Sequence, residues 1–374
     1  MSVSEHAPSV AIAAGGTGGH IYPGLALAEA LQRARPDVRI VFVGTRRGLE
    51  SRLIPDAGHR VAFVDMVPFA GRSRAKLPYA FPRATWQCRR LLRAEGVDVA
   101  VGMGGYAGIP LVVAARTARV PSLIHESGAV AGRANKLAAR FTPNVALAFD
   151  QAAASFTQPT RTVGMPLSAD MAGFNRGALR PEARREFDLA PEVAMVLVNG
   201  GSQGSLRLNE AAVGLAARWR HRRDVRLVVK AGRAHADTVE QALADSGGSS
   251  VARCVSFFDR IETAYAAADL TVCRAGAGTV AELAVTGLPA VLVPYPYAPD
   301  DHQAVNASVL VEPGAALMVR DEQATADHLG PMVERLLDDR VELDRMSTAA
   351  HGVARPRAAD DLAAWVLELA GTRG

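Results

Sequence analysis

The chain has 374 residues, of which 49% are hydrophobic and 21% charged, and 34 of them are glycine. This length exceeds most single hydrophobic cores, so we expect two globular domains. The formal net charge of +4 is small and no nucleic-acid-binding motif is visible, so nucleic acid is excluded as an expected partner. Three scattered cysteines indicate a reducing compartment such as the cytoplasm. Because no basic leader and no run of eighteen apolar residues occurs, we expect any membrane contact to be peripheral.

The first half of the chain alternates apolar strands with helical patterns. A strand at 10–14 enters a glycine-rich turn and then a helix. Further strands are predicted at 38–43, 61–64, 97–101 and 122–125, with helices near 49–57 and ending at 95. Such alternation is typical of parallel sheets with right-handed crossovers. We expect this half to end near residue 166.

The second half repeats the same design. After a charged segment that is poor in strands, at 169–191, a strand at 195–198 runs into another glycine-rich turn. Later strands are predicted at 225–229, 251–257, 270–273 and 290–293, and a closing helix at 357–370. The sequence therefore predicts an α/β protein with two Rossmann-like domains facing a cleft.

Three glycine-rich turns join a strand to a helix, at 15–19, 102–108 and 200–204. Such turns aim backbone N–H groups and a helix dipole at anionic oxygens, which suits phosphate. None matches G-x-x-x-x-G-K-[ST], and none is a clean G-x-G-x-x-G followed by an acidic residue after the next strand. A P-loop nucleotidase and a dehydrogenase are therefore disfavoured, and two diphosphate sites are favoured.

Two positions in the first half carry candidate acid–base chemistry. His20 follows the first turn directly and has the pKa range of a general base for a sugar hydroxyl, although it could equally cap the turn. His125 and Glu126 follow a buried strand, where ligands of parallel sheets bind. Either could contact sugar hydroxyls or assist proton removal; an ion pair or a helix cap is the alternative.

The second half carries candidate hydroxyl-binding groups. Arg274 begins another strand-to-helix turn at 274–279, and Glu282 lies one helical turn further on. That carboxylate could accept two ribose hydroxyls, or could only stabilise the helix N-terminus. The polar residues at 300–303, together with Asn306, could bind sugar hydroxyls. The alternative interpretation is that they only cap the start of an ordinary helix.

Taken together, these motifs resemble the MurG family, transferases that add N-acetylglucosamine to undecaprenyl-diphosphoryl-muramoyl-pentapeptide in peptidoglycan synthesis. The resemblance covers nearly the whole chain. It rests on GGTGGHIYPGLALAEAL at 15–31, GMGGYAGIP at 102–110, HES with GRANK at 125–136, GGSQGSLRLNE at 200–210, CRAGAGTVAELAVTGLPAVLVPYP at 273–296 and DDHQAVNA at 300–307.

The resemblance implies an inverting, UDP-sugar-dependent glycosyltransferase of GT-B fold that converts lipid I to lipid II without a metal or cofactor. We expect an acceptor- and membrane-facing domain at 1–168, a donor domain at 169–350, and a final helix in 351–374 that packs back on the first domain. The protein would act at the inner face of the plasma membrane.

The resemblance also implies roles for individual residues. The catalytic pair would be His20 as base and Glu126 as assisting carboxylate, with Phe258 on uracil, Glu282 on ribose, and Gln303 and Asn306 on the sugar. The expected donor-binding residues are Gly201, Ser202, Gln203, Gly204, Phe258, Arg274, Gly276, Ala277, Gly278, Thr279, Glu282, His302, Gln303 and Asn306. The acceptor diphosphate would contact Thr17, Gly18, Gly19, Gly104, Gly105 and Tyr106.

A basic and aromatic segment at 67–93 is the expected membrane contact. Apolar groups dipped into an anionic bilayer with cations at headgroup level would explain its composition, whereas a solvated basic helix with ordinary core contacts is the alternative. The predicted patch consists of Phe69, Arg72, Arg74, Lys76, Leu77, Tyr79, Phe81 and Trp86.

Three segments depart from the family pattern. Ser127-Gly128 stands where the family has Q-N or A-N, residues 164–168 read GMPLS in place of G-N-P-V-R, and 229–232 read VKAG in place of H-Q-T-G. Lys230 or Arg233 could compensate for the cation missing at Ser168. These changes leave open a related glycosyltransferase with another acceptor or UDP-sugar. A UDP-sugar 2-epimerase and a non-catalytic UDP-sugar-binding protein are further alternatives.

Overall fold

The computed structural model describes residues 7–68, 75–201 and 203–372. The chain forms two compact units. The N-terminal unit comprises Met1–Ala172 and Arg355–Gly374, and the C-terminal unit comprises Gly173–Ala354. Each unit is built around its own parallel sheet, so the prediction of two Rossmann-like domains is confirmed.

The sheet of the N-terminal unit has seven parallel strands in the order β3-β2-β1-β4-β5-β6-β7. The strands are β1 (Ser9–Ala13), β2 (Arg39–Gly44), β3 (Val61–Phe63), β4 (Val99–Gly102), β5 (Ser122–Glu126), β6 (Asn144–Leu147) and β7 (Thr160–Thr162). The helices are α1 (Gly18–Ala34), α2 (Glu50–Asp56), α3 (Leu77–Ala94), α4 (Gly108–Ala118), α5 (Arg133–Ala138) and α6 (Ala169–Ala172). The strand order reverses between β1 and β4, where such folds bind ligands. The first two glycine turns follow these two strands.

The C-terminal unit repeats this plan with six parallel strands in the order β10-β9-β8-β11-β12-β13. Its helices are α7 (Arg176–Glu186), α8 (Leu206–Trp219), α9 (Ala236–Asp245), α10 (Ile261–Ala267), α11 (Ala277–Thr286), α12 (His302–Val311), α13 (Ala326–Asp338) and α14 (Arg340–Val353). The strands are β8 (Ala194–Asn199), β9 (Val225–Lys230), β10 (Ala252–Val255), β11 (Leu270–Cys273), β12 (Ala290–Leu292) and β13 (Ala316–Met318). Here the order reverses between β8 and β11, which places the turns after these strands side by side.

The last helix, α15 (Ala358–Gly371), belongs to the N-terminal unit. Its buried Leu362 and Val366 lie in the same hydrophobic cluster as Leu27 and Leu31 of α1. Burial of this apolar stripe is what returns the end of the chain to the first unit, because an amphipathic helix is stabilised mainly by packing its apolar face.

Some strands differ from the expectation. The strand expected at 251–257 ends at Val255, so Phe257 and Phe258 lie in the following loop. Strands β6, β7 and β13 were not predicted. They are three or four residues long, so each leaves only a weak pattern in the sequence. Within the described ranges, no helix combines the length and apolarity needed to cross a bilayer.

Candidate active site

The first glycine turn positions His20 at the start of α1. Nδ1 of the ring lies 3.2 Å from the carbonyl oxygen of Gly15 and 3.5 Å from Oγ1 of Thr17. Because a carbonyl can only accept, the hydrogen bond to Gly15 requires the proton on Nδ1. Nε2 is thereby left as the proton acceptor of the neutral ring. Thr17 is the N-cap of α1, and the first turn of that helix carries no acidic residue.

The second glycine turn packs directly on the His20 ring. A Cβ built at Gly104 would lie 2.7 Å from Cδ2 and 2.9 Å from Nε2 of the ring, and one at Gly105 would lie 2.6 Å from the Gly15 carbonyl oxygen. Both glycines also have positive φ, at 99° and 76°. Their lack of a side chain is therefore needed for the two turns to meet. Burial lowers the pKa of His20, opposed by the charge of Glu126, and favours the neutral imidazole.

Glu50, which the sequence did not single out, ties the first turn to the end of β2. Oε2 accepts a hydrogen bond from Gly16 N at 3.0 Å, while Oε1 accepts from Thr45 N at 2.9 Å and from Thr45 Oγ1 at 2.8 Å. The side chain is fully buried. A Cβ at Gly44 would lie 2.6 Å from its Cγ, and one at Gly48 would overlap the carboxylate. Glycines spaced around an acidic residue are the only sequence signal for this site.

The hydroxyl of Tyr106 extends this network. Its Oη lies 3.1 Å from Thr45 Oγ1, so the residue that follows Gly105 is connected to the Glu50 carboxylate. Gly18 and Gly19 occupy the first positions of α1, where backbone N–H groups precede the helical hydrogen-bond pattern. The residues expected around an acceptor diphosphate are therefore brought together in the N-terminal unit.

His125 and Glu126 at the end of β5 are both buried and both bonded within the protein. His125 Nε2 lies 2.9 Å from the Gly164 carbonyl oxygen, and burial lowers the pKa of His125 to about 4. Glu126 accepts hydrogen bonds from Gly128 N at 2.9 Å, Gly132 N at 3.0 Å and Asn135 Nδ2 at 2.9 Å. Neutral His125 thus fixes the sheet to the loop after β7, and Glu126 shapes the loop that follows it.

In the C-terminal unit the third glycine turn precedes α8. Gly201 and Gly204 have positive φ, at 84° and 81°, and a Cβ at Gly204 would overlap the carbonyl of Ala231. Gly201 N donates to Asn199 Oδ1 at 2.9 Å, and Ser205 caps α8 by accepting from Leu208 N at 3.3 Å. Gln203 is exposed in this turn, whereas Ser202 lies outside the described residues.

Glu282 lies in the middle of α11, one helical turn beyond Gly278; Gly276 is the N-cap of this helix, and its first turn begins with Ala277, Gly278 and Thr279. Its Oε2 accepts a hydrogen bond from the buried hydroxyl of Tyr265 at 2.9 Å. Burial raises the pKa of Glu282, and the Tyr265 hydrogen bond opposes that shift. A Cβ at Gly278 would lie 3.8 Å from Oε1, so this oxygen faces the turn.

The other polar side chains expected to bind the donor form hydrogen bonds within the protein. The Arg274 guanidinium contacts Asp321 at 2.6 Å and donates to Ser205 Oγ at 2.7 Å, so it braces the loops around the site. Gln303 Oε1 accepts from Tyr295 N at 2.9 Å, and buried Asn306 donates to the Ala275 carbonyl at 3.1 Å. His302 Nδ1 lies 2.8 Å from the Pro299 carbonyl oxygen.

Two phenylalanines follow β10. Phe258 packs edge-on against Phe187, with ring centroids 6.1 Å apart. The Phe257 ring contacts two cations, with Lys230 Nζ at 5.5 Å and Arg233 Cζ at 4.7 Å from its centroid. The structure thus places an aromatic surface beside the third glycine turn, on the loop that follows β10.

Comparison with known proteins agrees with this geometry. Residues 10–147 match the glycosyltransferase family 28 N-terminal domain, and residues 195–362 match the glycosyltransferase family 28 C-terminal domain. A protein of Saccharopolyspora erythraea is 41% identical over 99% of this chain and 96% of its own length. The chain belongs to the MurG family.

That relative is named UDP-N-acetylglucosamine–N-acetylmuramyl-(pentapeptide) pyrophosphoryl-undecaprenol N-acetylglucosamine transferase. A protein of the same name from Paenarthrobacter aurescens is 40% identical over 96% of each chain. The crystal structure of MurG from Acinetobacter baumannii superposes with a TM-score of 0.80 at 29% identity, covering 96% of this chain and 99% of that one. The predicted GT-B fold class and glycosyltransferase family are therefore confirmed.

Three of the positions that depart from the MurG family pattern are Gly128, Ser168 and Lys230. Gly128 lacks a positive φ, but a Cβ there would lie 3.0 Å from the Val130 carbonyl oxygen, a close contact that would require the Val130 backbone to shift. Ser168 Oγ accepts a hydrogen bond from Met171 N at 3.3 Å and so caps the short α6. Lys230 is buried at the end of β9.

The expected membrane patch is only partly a surface. Tyr79 and Trp86 on α3 are 71% and 61% exposed, and Lys76 is exposed beside them. Leu77 and Phe81 instead pack against the core of the N-terminal unit, which corrects the expectation that they dip into a bilayer. Their positions on α3 alternate with the exposed ones because a helix returns to the same face every three to four residues. Phe69, Arg72 and Arg74 lie outside the described residues.

Proposed function

We propose that the protein transfers N-acetylglucosamine from UDP-N-acetylglucosamine to a lipid-diphosphate-linked muramoyl-pentapeptide, the step from lipid I to lipid II in peptidoglycan synthesis. The observation that carries this proposal is the 41% identity, over 99% of the chain, with a relative named for that reaction. The histidine and glycine turns of the N-terminal unit supply groups that such chemistry needs.

His20 is the proposed general base. Its Nδ1 proton is held by the Gly15 carbonyl, and its lowered pKa keeps the ring neutral at pH 7, so Nε2 can accept a proton. As the acceptor hydroxyl loses this proton, its oxygen bonds to the anomeric carbon of the sugar. The bond from that carbon to the UDP oxygen breaks on the opposite face, and its electron pair leaves with UDP. The anomeric configuration is therefore inverted.

The C-terminal unit is the proposed donor site. Backbone N–H groups at the start of α8 would receive the diphosphate, since the first turn of α8 carries no acidic side chain. Glu282 would accept hydrogen bonds from the ribose hydroxyls, and Phe258 would contact uracil. Gln303 and Asn306 would form hydrogen bonds with the sugar hydroxyls. The proposal needs no metal, because fixed donors facing the diphosphate stabilise its developing charge.

In this proposal Glu126 acts by shaping its loop. Its three hydrogen bonds go to Gly128 N and Gly132 N within the 127–132 segment and to Asn135 Nδ2 beyond it, so the carboxylate holds that segment in one conformation. An assisting role in proton transfer would need one of these bonds to be exchanged for one to substrate.

The direct test is an assay of UDP release by the purified protein. UDP-N-acetylglucosamine, UDP-glucose and UDP-glucuronate are each supplied with and without a lipid I analogue. We expect release only with UDP-N-acetylglucosamine and the analogue together. No release with the analogue would refute the proposed acceptor, and consumption of UDP-N-acetylglucosamine without any acceptor would indicate a 2-epimerase.

A second candidate acceptor class is favoured by the Ser127-Gly128 and Ser168 departures. A related glycosyltransferase acting on another glycolipid or natural product would release UDP with that acceptor and not with the lipid I analogue. Gly128→Asn restores the family residue, and its Cβ requires the Val130 backbone to shift by a few tenths of an ångström. Gain of activity on the lipid I analogue in this variant would support the second candidate.

We also propose that the protein works at the inner face of the plasma membrane through α3 and its surroundings. Exposed Tyr79 and Trp86 with Lys76 combine aromatic and cationic groups suited to an anionic interface. A cavity of about 610 Å³ in the same unit adds cations, and it is lined by Arg116, Lys136, Ala139, Arg140, Phe141, Thr142, Pro143, Ser155, Phe156, Thr157 and Gln158. Phe81 of α3 and the cavity residues Phe141 and Phe156 pack against the same hydrophobic cluster.

Vesicle co-sedimentation tests this surface. The double variant Tyr79→Ala, Trp86→Ala should bind vesicles containing phosphatidylglycerol at least roughly fivefold more weakly, because the two aromatic anchors are lost. Tyr297→Ala, which removes an 81% exposed aromatic side chain in the C-terminal unit, is the matched control and should bind like the unmodified protein. Equal binding by all three proteins would contradict the proposed surface.

A further inference from the structure

Lys230 is a buried cation at the third glycine turn. It is the last residue of β9 and pairs in register with Asn199, the last residue of β8, so it lies at the ligand-facing end of the sheet. The residue is 8% exposed, and its Nζ donates to the Gly201 carbonyl at 3.1 Å. The side chain therefore crosses from one strand end to the turn that follows the neighbouring strand.

The protein itself gives this ammonium little compensation. An ammonium has three donors; the Gly201 carbonyl accepts one of them, and the Phe257 ring, 5.5 Å from Nζ, adds a cation–π contact. Within the described parts of the chain, no carboxylate forms an ion pair with Lys230. The carboxylate whose charge does reach it, Glu282, already accepts a hydrogen bond from Tyr265. A charge buried with so few partners is costly unless an anion completes the site.

The surroundings of Lys230 are complementary to an anion. The N-terminus of α8 follows the same turn and carries no acidic residue in its first turn. Arg233 lies on the same phenylalanine, Phe257, and is exposed to solvent. Positive φ at Gly201 shapes the turn that presents these groups. A helix dipole and the Lys230 ammonium thus meet at one turn that has no acidic side chain of its own, and Arg233 shares the Phe257 ring with Lys230.

We propose that the Lys230 ammonium binds a phosphate oxygen of the nucleoside diphosphate at the 200–204 turn, and that it neutralises charge on the departing diphosphate. This inference rests on the proposed function and deepens its donor site. It also assigns a role to Lys230 of the VKAG segment, one of the segments that depart from the family pattern. Arg233, being exposed, contributes a weaker and more screened attraction.

Calorimetry with UDP and with uridine separates phosphate binding from loop support. Lys230→Met keeps a similar volume and removes the charge. We expect it to weaken UDP binding by roughly 10- to 100-fold, since a hydrogen bond between charged groups is lost, and to change uridine binding by less than about twofold. Lys230→Arg keeps the charge and should retain UDP affinity within about tenfold. Arg226→Met, a charge removal on the same strand, is the control and should bind both ligands normally.

The binding measurements distinguish failure of the Lys230 inference from failure of the proposed function. Unchanged UDP affinity in Lys230→Met would overturn the inference while leaving the proposed function intact. Equal weakening of UDP and uridine would also overturn it, because that result indicates support of the turn alone. If the unmodified protein binds neither UDP nor UDP-N-acetylglucosamine, the proposed function itself fails. In steady-state assays Lys230→Met should lower kcat as well as raise KM for the donor, as loss of charge neutralisation on a leaving group requires.

Discussion

Replacing Glu50 by Gln tests whether a buried carboxylate holds the first glycine turn. The substitution keeps the shape of the side chain and converts one oxygen into an NH₂ group. Since Oε1 accepts two hydrogen bonds from Thr45 and Oε2 one from Gly16, the amide can at best satisfy the Thr45 pair. The NH₂ group of the amide then faces the N–H of Gly16, and two donors cannot form a hydrogen bond. The hydrogen bond from Gly16 N to the charged carboxylate is therefore lost.

The loss of one such bond is worth about 1.5–3 kcal/mol, and the two bonds that remain become weaker because the acceptor is neutral. We therefore expect the N-terminal unit to lose about 2–4 kcal/mol of its free energy of unfolding. For a unit of this size each kcal/mol lowers Tm by about 2–4 °C, so the decrease should be at least about 4 °C. Gly16 lies four positions before His20, so kcat should fall too.

Differential scanning calorimetry of the full-length protein measures the first effect, and steady-state kinetics measures the second. KM for the donor should change little, because Glu50 belongs to the N-terminal unit and the proposed donor site to the other. Asp37→Asn, which removes an exposed surface ion pair with Arg35 in the same unit, is the control and should leave Tm unchanged. If Glu50→Gln melts within one or two degrees of the unmodified protein and keeps its kcat, the reasoning is refuted.

Further predictions concern the proposed base and the proposed ribose contact. His20→Ala should lower kcat by roughly 10²- to 10⁴-fold, and a loss below threefold would remove it as the base. Because burial lowers the pKa of His20, the acid limb of kcat/KM should lie below the ordinary histidine value of about 6.5, and this limb should vanish in His20→Ala. Glu282→Ala should weaken UDP binding by roughly 1–3 kcal/mol in calorimetry, with little effect on a nucleotide that lacks both ribose hydroxyls. An equal loss with that nucleotide would contradict the ribose contact.

Much of this protein follows from local sequence pattern. Apolar strands followed by glycine turns and helices predicted both parallel sheets, because each strand–turn–helix unit is specified by residues close together in the chain. The same locality placed His20 and the 200–204 turn at the ligand-facing ends of strands. The glycine motifs also carried the resemblance to the family to which the chain belongs.

What the pattern could not decide are the partners of polar groups across the fold. Glu50 reads as an ordinary helix residue, and only the packing of Gly15, Gly44 and Gly48 around it reveals a buried carboxylate holding a turn 34 positions away. Likewise, the patch on α3 looked uniform, whereas tertiary packing turned Phe81 inward and left Trp86 exposed. Burial and hydrogen-bond partners depend on contacts between distant segments, so they were settled only when the sheets assembled.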